Sequence, residues 1–357
     1  MCTSVLSSVF FCSGFAPPRS ASFARVRPAV QTGSTTVRTG SATLSMSAPA
    51  WPEILDRVQA TPTGARLQRA AAARLVGQGP AHVDAPLRLF DAASEAEVRV
   101  VFYRDTAGWC PYCQKVWLLL EEKRIPFKVV KINMRSYGEK PSWFLQMVPG
   151  GLLPAIELDG QMMTDSLPIM QALDEAFPSE PRMVPRVGSA ERTRASELLS
   201  LERELFSAWC SLTFQPGKGL LDSNERKMLD TMRRVDEALG ATPGPFFLGG
   251  DTPTLVDLQY VSHVERMVPS LLFWKNLRLR GSKFAHLDRW LSAFEERPAY
   301  LATKSDFYTH VMDIPPQCAE REAAPCLTRE TPTHPCTHAS RQVRAGLLCE
   351  RGGGVRS

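Results

Sequence analysis

The residues of this chain best placed to do chemistry are Cys110-Pro111-Tyr112-Cys113, two thiols separated by two residues. They follow a short β-branched and aromatic run, Val98 to Tyr103, and open a helical stretch from Pro111 to about Lys123. Pro111 suits a first helical turn, because its missing N–H would be unpaired there anyway. Cys110 then faces unpaired backbone donors at the positive end of a helix dipole. A free thiol of pKa ~8.5 is only about 3% thiolate at pH 7, whereas a pKa of ~6.5 makes it about 75% thiolate. That change corresponds to roughly 2.7 kcal/mol. The dipole supplies about 0.3–2 kcal/mol, so N–H···S hydrogen bonds must supply the rest. Cys113 heads the stripe Cys113, Val116, Trp117 and Leu120, which makes it the expected buried partner. Cys110 attacks; Cys113 at most resolves. A closely spaced cysteine pair is otherwise half a zinc site, which needs a second pair or two histidines. His82, His263, His286 and His310 are scattered, and no metal is expected. A CPYC thiol can also help to hold an iron–sulfur cluster with external thiols.

The elements that position this pair are legible around it. Phe127 to Ile132 reads as a second strand, so strand, helix and strand form a right-handed parallel βαβ unit. Pro154 to Leu158 is a third strand, Asp159-Gly160 a two-residue turn, and Gln161 to Met163 its antiparallel return. A helix from Ser166 to Phe177 completes a βαβ–α–ββα, thioredoxin-like order. After Pro185 the period changes: Leu198, Leu201, Leu205, Trp209 and Leu212 recur at helical spacing, as do Met228, Met232 and Val235. Further helices are expected over 254–268 and 284–309. The fold class is therefore an α/β thioredoxin-like N-terminal domain followed by an all-α C-terminal domain. The expected limits are 98–180 for the first and 186–312 for the second, with an N-terminal extension over 51–97 that packs on the domains C-terminal to it.

Both ends differ from this middle. Residues 1–50 hold 16 Ser and Thr, four Arg and no Asp or Glu. Arg-rich, hydroxyl-rich and acid-free is the composition of a transit peptide, and the apolar stretch Val5 to Phe15 ahead of it suggests a two-part leader. A plastid is the expected destination, ahead of a mitochondrion or the cytoplasm. Residues 313–357 read as a low-complexity tail whose four cysteines match no common zinc spacing. The formal charge of +5 over 357 residues resides in these ends, because the middle is close to neutral. A nucleic-acid-binding face is thereby excluded. No apolar run approaches the roughly 18 residues of a membrane span.

CPYC is the glutaredoxin motif, yet here it leads into a helical domain, as in the glutathione S-transferase superfamily. Residues 98–185 resemble the cysteine-type members (omega, lambda, dehydroascorbate reductase), and the CPYC version resembles the plastid iota-like group. The segments that carry the resemblance are Lys140-Pro141-Ser142-Trp143-Phe144, Gly151-Leu152-Leu153-Pro154, Asp165-Ser166 and Thr254-Leu255-Val256-Asp257. It implies a glutathione site in which Cys110, with Pro111 and Tyr112 beside it, forms a mixed disulfide with glutathione. Leu153, before a Pro154 expected to be cis, would pair its backbone with the cysteinyl part. Asp165 and Ser166 would hold the γ-glutamyl end, and Lys140 the glycyl carboxylate. Thr254 and Asp257 would form the capping box of a helix in the second domain. Many omega and lambda members lack the second cysteine, so Cys113 leaves dithiol chemistry open. Read from the residues alone, Asp165 and Ser166 serve equally as helix caps, and Lys140 as a surface lysine. Trp209, Cys210, Phe214 and Tyr260 read as core rather than as the lining of an acceptor pocket.

The implied activity is that of a glutathione-dependent thiol transferase or reductase, acting on small oxidised or glutathionylated acceptors such as dehydroascorbate or glutathionyl-quinones. Glutathione is the co-substrate, and the expected state is a monomer or homodimer. The competing class is a non-catalytic docking module of the same fold, which has no use for an activated thiol.

Overall fold

The computed structural model describes residues 37–39, 42–44, 49–134, 139–179, 181–214 and 223–314. Almost all of the expected leader and tail lies outside these residues. The described residues fall into two compact units, one reaching Gln68 and one beginning at Arg69. The first holds an antiparallel pair, β1 (Val37–Thr39) and β2 (Ala42–Leu44), and α1 (Trp51–Gln59), none of whose residues is buried. Helix α2 covers Pro62–Leu75.

The second unit carries the fold class expected from the sequence. A five-stranded sheet has the order β3-β5-β4-β6-β7, with β3 (Leu87–Arg88), β4 (Val100–Asp105), β5 (Phe127–Ile132), β6 (Ala155–Leu158) and β7 (Gln161–Thr164). Strands β4 and β5 are parallel, in a register that sets Val100 opposite Phe127 and Asp105 opposite Ile132. Helix α3 (Pro111–Glu122) is the crossover between them. β6 runs antiparallel to β4, and Asp159-Gly160 turns it into β7, both turn residues at positive φ. Two short elements flank these, α4 (Ser142–Met147) and α5 (Ser166–Ala176). The strand that the sequence reading misses is β3, which pairs antiparallel with β5 and brings the sheet's start forward to Leu87. Two residues carry no alternation that a pattern search can detect.

Six helices follow: α6 (Ala190–Phe214), α7 (Ser223–Gly240), α8 (Leu255–Lys275), α9 (Ala285–Glu295), α10 (Pro298–Thr303) and α11 (Phe307–Met312). Two boundaries correct the expectation. Helix α8 continues through Pro269 to Lys275, where the sequence alone suggested an end near 268. Deep burial of this helix on most sides outweighs one missing N–H. The single helix expected over 284–309 is three, because Pro298 starts a new one and the Asp306 side chain caps the last, accepting from the Thr309 N–H at 2.9 Å.

Buried polar clusters hold the two domains together and fix the core of the second. Lys123 meets Asp174 at 2.8 Å and donates to the carbonyls of Ser179 and Pro181, while Asp174 accepts from the Met183 and Val184 N–H groups. That fixes the connection between the two domains. Gln114 of α3 donates to Glu265 of α8 at 2.7 Å and accepts from Arg266 at 2.7 Å. Asp257, wholly buried at the start of α8, accepts from the Thr254 N–H at 2.8 Å and hydroxyl at 2.9 Å, and from Phe247 N–H and Trp290 Nε1–H, each at 3.0 Å. Asp257→Ala leaves these donors unpaired inside the core, at a cost of roughly 3 kcal/mol. Urea unfolding of the variant should show a lower midpoint with an unchanged slope; a midpoint equal to wild type means that this carboxylate does not hold the core together.

Candidate active site

The last residue of β4 and the first turn of α3 build the centre of the site. Cys110 is the residue ahead of α3, with extended backbone (φ −61°, ψ 119°) and Pro111 at the first helical position. Its sulfur, that of Cys113 and a carboxylate oxygen of Asp105 lie within 4.8 Å of one another. Cys110 is 4% exposed and Cys113 2%. The burial of Cys113 follows from its place in the α3 stripe. That of Cys110 differs from the partly exposed setting usual for a reactive thiol, and the reason is local: the loop before α3 folds inward onto Asp105. Oδ2 of that carboxylate accepts the backbone N–H of Trp109 at 2.8 Å and of Cys110 at 3.2 Å. Trp109, Pro111 and Tyr112, next to it in the chain, are half-buried.

The two thiols are electrostatically unlike. The Cys113 side chain hydrogen-bonds to Cys110 and holds the Cys110 thiol below its ordinary range, against burial and the nearby Asp105 charge. Burial, followed by the same hydrogen bond to Cys110, pushes Cys113 well above that range. The leading stabiliser of a Cys110 thiolate is thus its neighbour's S–H, with the Cys113 backbone amide and Arg266 behind it. Sequence reasoning assigned that part to helix amides alone.

Of the other residues singled out in the sequence, Lys140 stands in the field of this pair. The Leu153–Pro154 peptide is cis and leads directly into β6. Gly151 ahead of it has φ +57°, and a Cβ there would come within 3.0 Å of Leu145 and 3.1 Å of Lys140. The lysine stem therefore lies along the loop, while its Nζ donates to the Asn133 carbonyl at 3.3 Å. Burial lowers the Lys140 pKa, and the charges of Cys113, Cys110 and Asp105 oppose that shift, so the ammonium stands in the field of the site. Asp165 is exposed, at φ 68°, and makes no side-chain capping bond. Ser166 behind it is buried at the start of α5. Thr254 and Asp257 lie in the helical domain's core.

Helices α6 and α8 form the other wall. Tyr112 packs edge-on against His263, ring centroids 5.4 Å apart, and against Phe206 at 6.5 Å. Beneath it Lys115, Glu202 and His263 form a buried polar cluster, with Lys115 Nζ 3.9 Å from Glu202 and the exposed Arg203 2.5 Å from the same carboxylate. Burial lowers Lys115 to about 8 and His263 to about 3. Of the residues weighed for an acceptor pocket, Tyr260 and Trp209 are core, donating to the Leu198 carbonyl and to Ser270, while Cys210 and Phe214 are half-buried. Three groups were missed by sequence reasoning. Arg266 of α8 donates to the Trp109 carbonyl just ahead of the nucleophile, a contact across 157 residues that no local pattern reveals. Asp105 carried one signal, a charged pair closing an otherwise apolar central strand. The Glu202–His263 pair carried none. As a metal site, Asp105, Cys110 and Cys113 fall one short of the four donors of a structural zinc centre, and Oδ2 already accepts two amides.

Residues 109–176 match the family model for the glutathione S-transferase N-terminal domain. Glutathione S-transferase DHAR2 of Arabidopsis thaliana is 32% identical over 201 residues, covering 56% of this chain and 86% of that protein. The chain belongs to the glutathione S-transferase family. The chloroplastic Glutathione S-transferase DHAR3 of Arabidopsis thaliana is 29% identical over 200 residues, 55% of this transferase and 71% of that one. A crystal structure of Chlamydomonas reinhardtii dehydroascorbate reductase has the same fold, with a TM-score of 0.50 and 23% identity over 60% of this chain and 97% of that one. Because the Cys113 thiol is the main donor to Cys110, Cys113→Ala in this transferase should move the pH profile of Cys110 alkylation by iodoacetamide to higher pH. An unmoved profile would show that backbone amides alone hold the thiolate.

Proposed function

We propose that this glutathione S-transferase is a glutathione-dependent thiol transferase and reductase that works through a Cys110–glutathione mixed disulfide. The observation that carries the reading is the polarity of the pair: one buried thiol lowered at a helix start, its partner raised and donating to it. A conjugating transferase has to activate glutathione's own thiol and has no need of a protein thiolate. Here the protein's own sulfur is the nucleophile.

In the proposed cycle the Cys110 thiolate attacks the glutathione sulfur of a glutathionylated acceptor; the acceptor leaves as a thiolate that takes a proton from solvent. A second glutathione thiolate attacks the mixed disulfide, oxidised glutathione departs, and the Cys110 thiolate is restored. With dehydroascorbate, the two electrons come from Cys110 and one glutathione thiol, and the product is again the Cys110–glutathione disulfide. Dehydroascorbate is the acceptor we favour, in view of the relatives' names. Lys140 receives the glycyl carboxylate as a point charge. The backbone of Leu153 pairs with the cysteinyl segment, and Asp165 and the Ser166 N–H take the two charges of the γ-glutamyl end. We further propose a plastid location, supported by the acid-free, Arg-bearing N-terminus and by a relative named as chloroplastic.

Purified protein is expected to bind to immobilised glutathione and to reduce dehydroascorbate with glutathione as donor. Cys110→Ser should lower that rate by at least ~10³-fold; a variant that keeps full activity overturns the reading. Lys140→Ala should raise KM for glutathione about tenfold with kcat nearly unchanged, the signature of lost ground-state binding. An unchanged KM removes Lys140 from the glutathione site.

A further inference from the structure

The site contains a carboxylate that this cycle does not use. Asp105 is wholly buried at the end of the central strand, and its two oxygens are unequally employed. Oδ2 accepts two backbone N–H groups; Oδ1 is buried without a hydrogen-bond partner. Leaving a carboxylate oxygen unpaired in a dry interior costs on the order of 1–3 kcal/mol or more. The fold retains this carboxylate with one of its oxygens within 4.8 Å of both sulfurs. The charged groups that face it are Arg104 next to it in β4 and Lys140 from the loop ahead of α4, with Arg266 of α8 facing Cys110.

We propose that Asp105 is the proton acceptor for Cys113 in a dithiol branch of the reaction, in which Cys113 displaces glutathione from Cys110. The inference rests on the mixed-disulfide reading above and extends it. The Cys113 sulfur attacks the Cys110 sulfur of the mixed disulfide, its proton passes to the free Asp105 oxygen, and glutathione leaves as a thiolate. The Cys110–glutathione bond breaks as the Cys110–Cys113 bond forms, so glutathione regains its thiol, and over the two steps the protein pair loses two electrons to the oxidised acceptor. On the return, a glutathione thiolate opens the internal disulfide at Cys110, and Asp105 gives the proton back to Cys113. A second glutathione thiolate then releases oxidised glutathione. The distance is spanned directly or through one water, within the reach of general-base catalysis. A base is needed here because burial and the hydrogen bond to Cys110 push the Cys113 thiol well above its ordinary range, whereas the Cys110 thiol is lowered.

The test uses the reduced full chain mixed with oxidised glutathione, quenched in acid and read by intact-protein mass. Wild type should form the Cys110 adduct and convert it to the internal disulfide. Asp105→Asn, whose amide oxygen can still accept the two N–H groups, should form the adduct but convert it at least ~100-fold more slowly. Asp105→Glu should recover part of that rate. Conversion by Asp105→Asn at the wild-type rate overturns the assignment, and so does a wild type that stops at the adduct. A wild type that forms no adduct at all overturns the mixed-disulfide reading itself. Should the Asn variant not fold, the wild-type conversion decides alone. With an internal base its rate rises by clearly less than tenfold per pH unit above about pH 7, while a full tenfold rise means that Cys113 loses its proton to solvent.

Discussion

Two sulfurs sharing a dry pocket with a carboxylate cannot both be charged, and this constraint organises the site. Burial penalises every anion there, so the pocket supports a thiolate only where a donor is already aimed at it. The Cys113 S–H is that donor, and it can serve only by remaining protonated. One turn of helix therefore creates a division of labour from two identical side chains: three residues apart, they lie on one face, and the sulfur at the helix start takes the charge. Asp105 works against this arrangement electrostatically while supporting it mechanically. Its charge raises both thiols, yet its Oδ2 holds the Trp109 and Cys110 amides that shape the loop.

The helical domain takes part in this balance. Arg266 donates to the carbonyl of Trp109 and to Gln114, one turn along α3 from the nucleophile, and its charge helps to lower Cys110. Glu265 beside it accepts from Gln114, from the Ser305 N–H and from His310, so three segments of the helical domain converge on one face of α3. A buried cation and a buried anion at adjacent positions of α8 are costly in isolation. Here both are hydrogen-bonded to the amide of a single Gln, which makes the seating of α3 on α8 a matter of specific pairing as well as of apolar contact. The loop that carries Cys110 is consequently positioned by both domains.

The sequence made the local chemistry legible and left the long-range chemistry hidden. The thiol pair, its proline and the helix behind it are encoded within four residues, and the Asp159-Gly160 turn within two, so reading them requires no tertiary information. The fold class followed from the switch between strand and helix periods at Pro185. What escaped depends on partners far along the chain. The Cys113 S–H as donor to Cys110 escapes a sequence reading, which sees the helix dipole and backbone amides, because the direction of a thiol three residues away is set by tertiary packing. Strand β3 is recognisable only by its partner, Leu87 opposite Lys128. The continuation of α8 past Pro269 reflects burial that outweighs a propensity rule, whereas at Pro298 the same rule holds because that segment lies nearer the surface.

Selectivity among the cysteines follows from the same physics. Of the three free cysteines among the described residues, Cys210 lies on α6 near Tyr112 and Arg203. Burial pushes its thiol up to about 11, and the only counterweight is the charge of Arg203, with no donor aimed at the sulfur. At neutral pH such a thiol is almost wholly protonated and reacts slowly with disulfides. What Cys110 has and Cys210 lacks is led by a well-placed S–H, that of Cys113, with the Cys113 backbone amide and Arg266 behind it. In the dithiol branch proposed above, Cys113 has two duties in one position: it stabilises the thiolate before the first attack and supplies the nucleophile for the second.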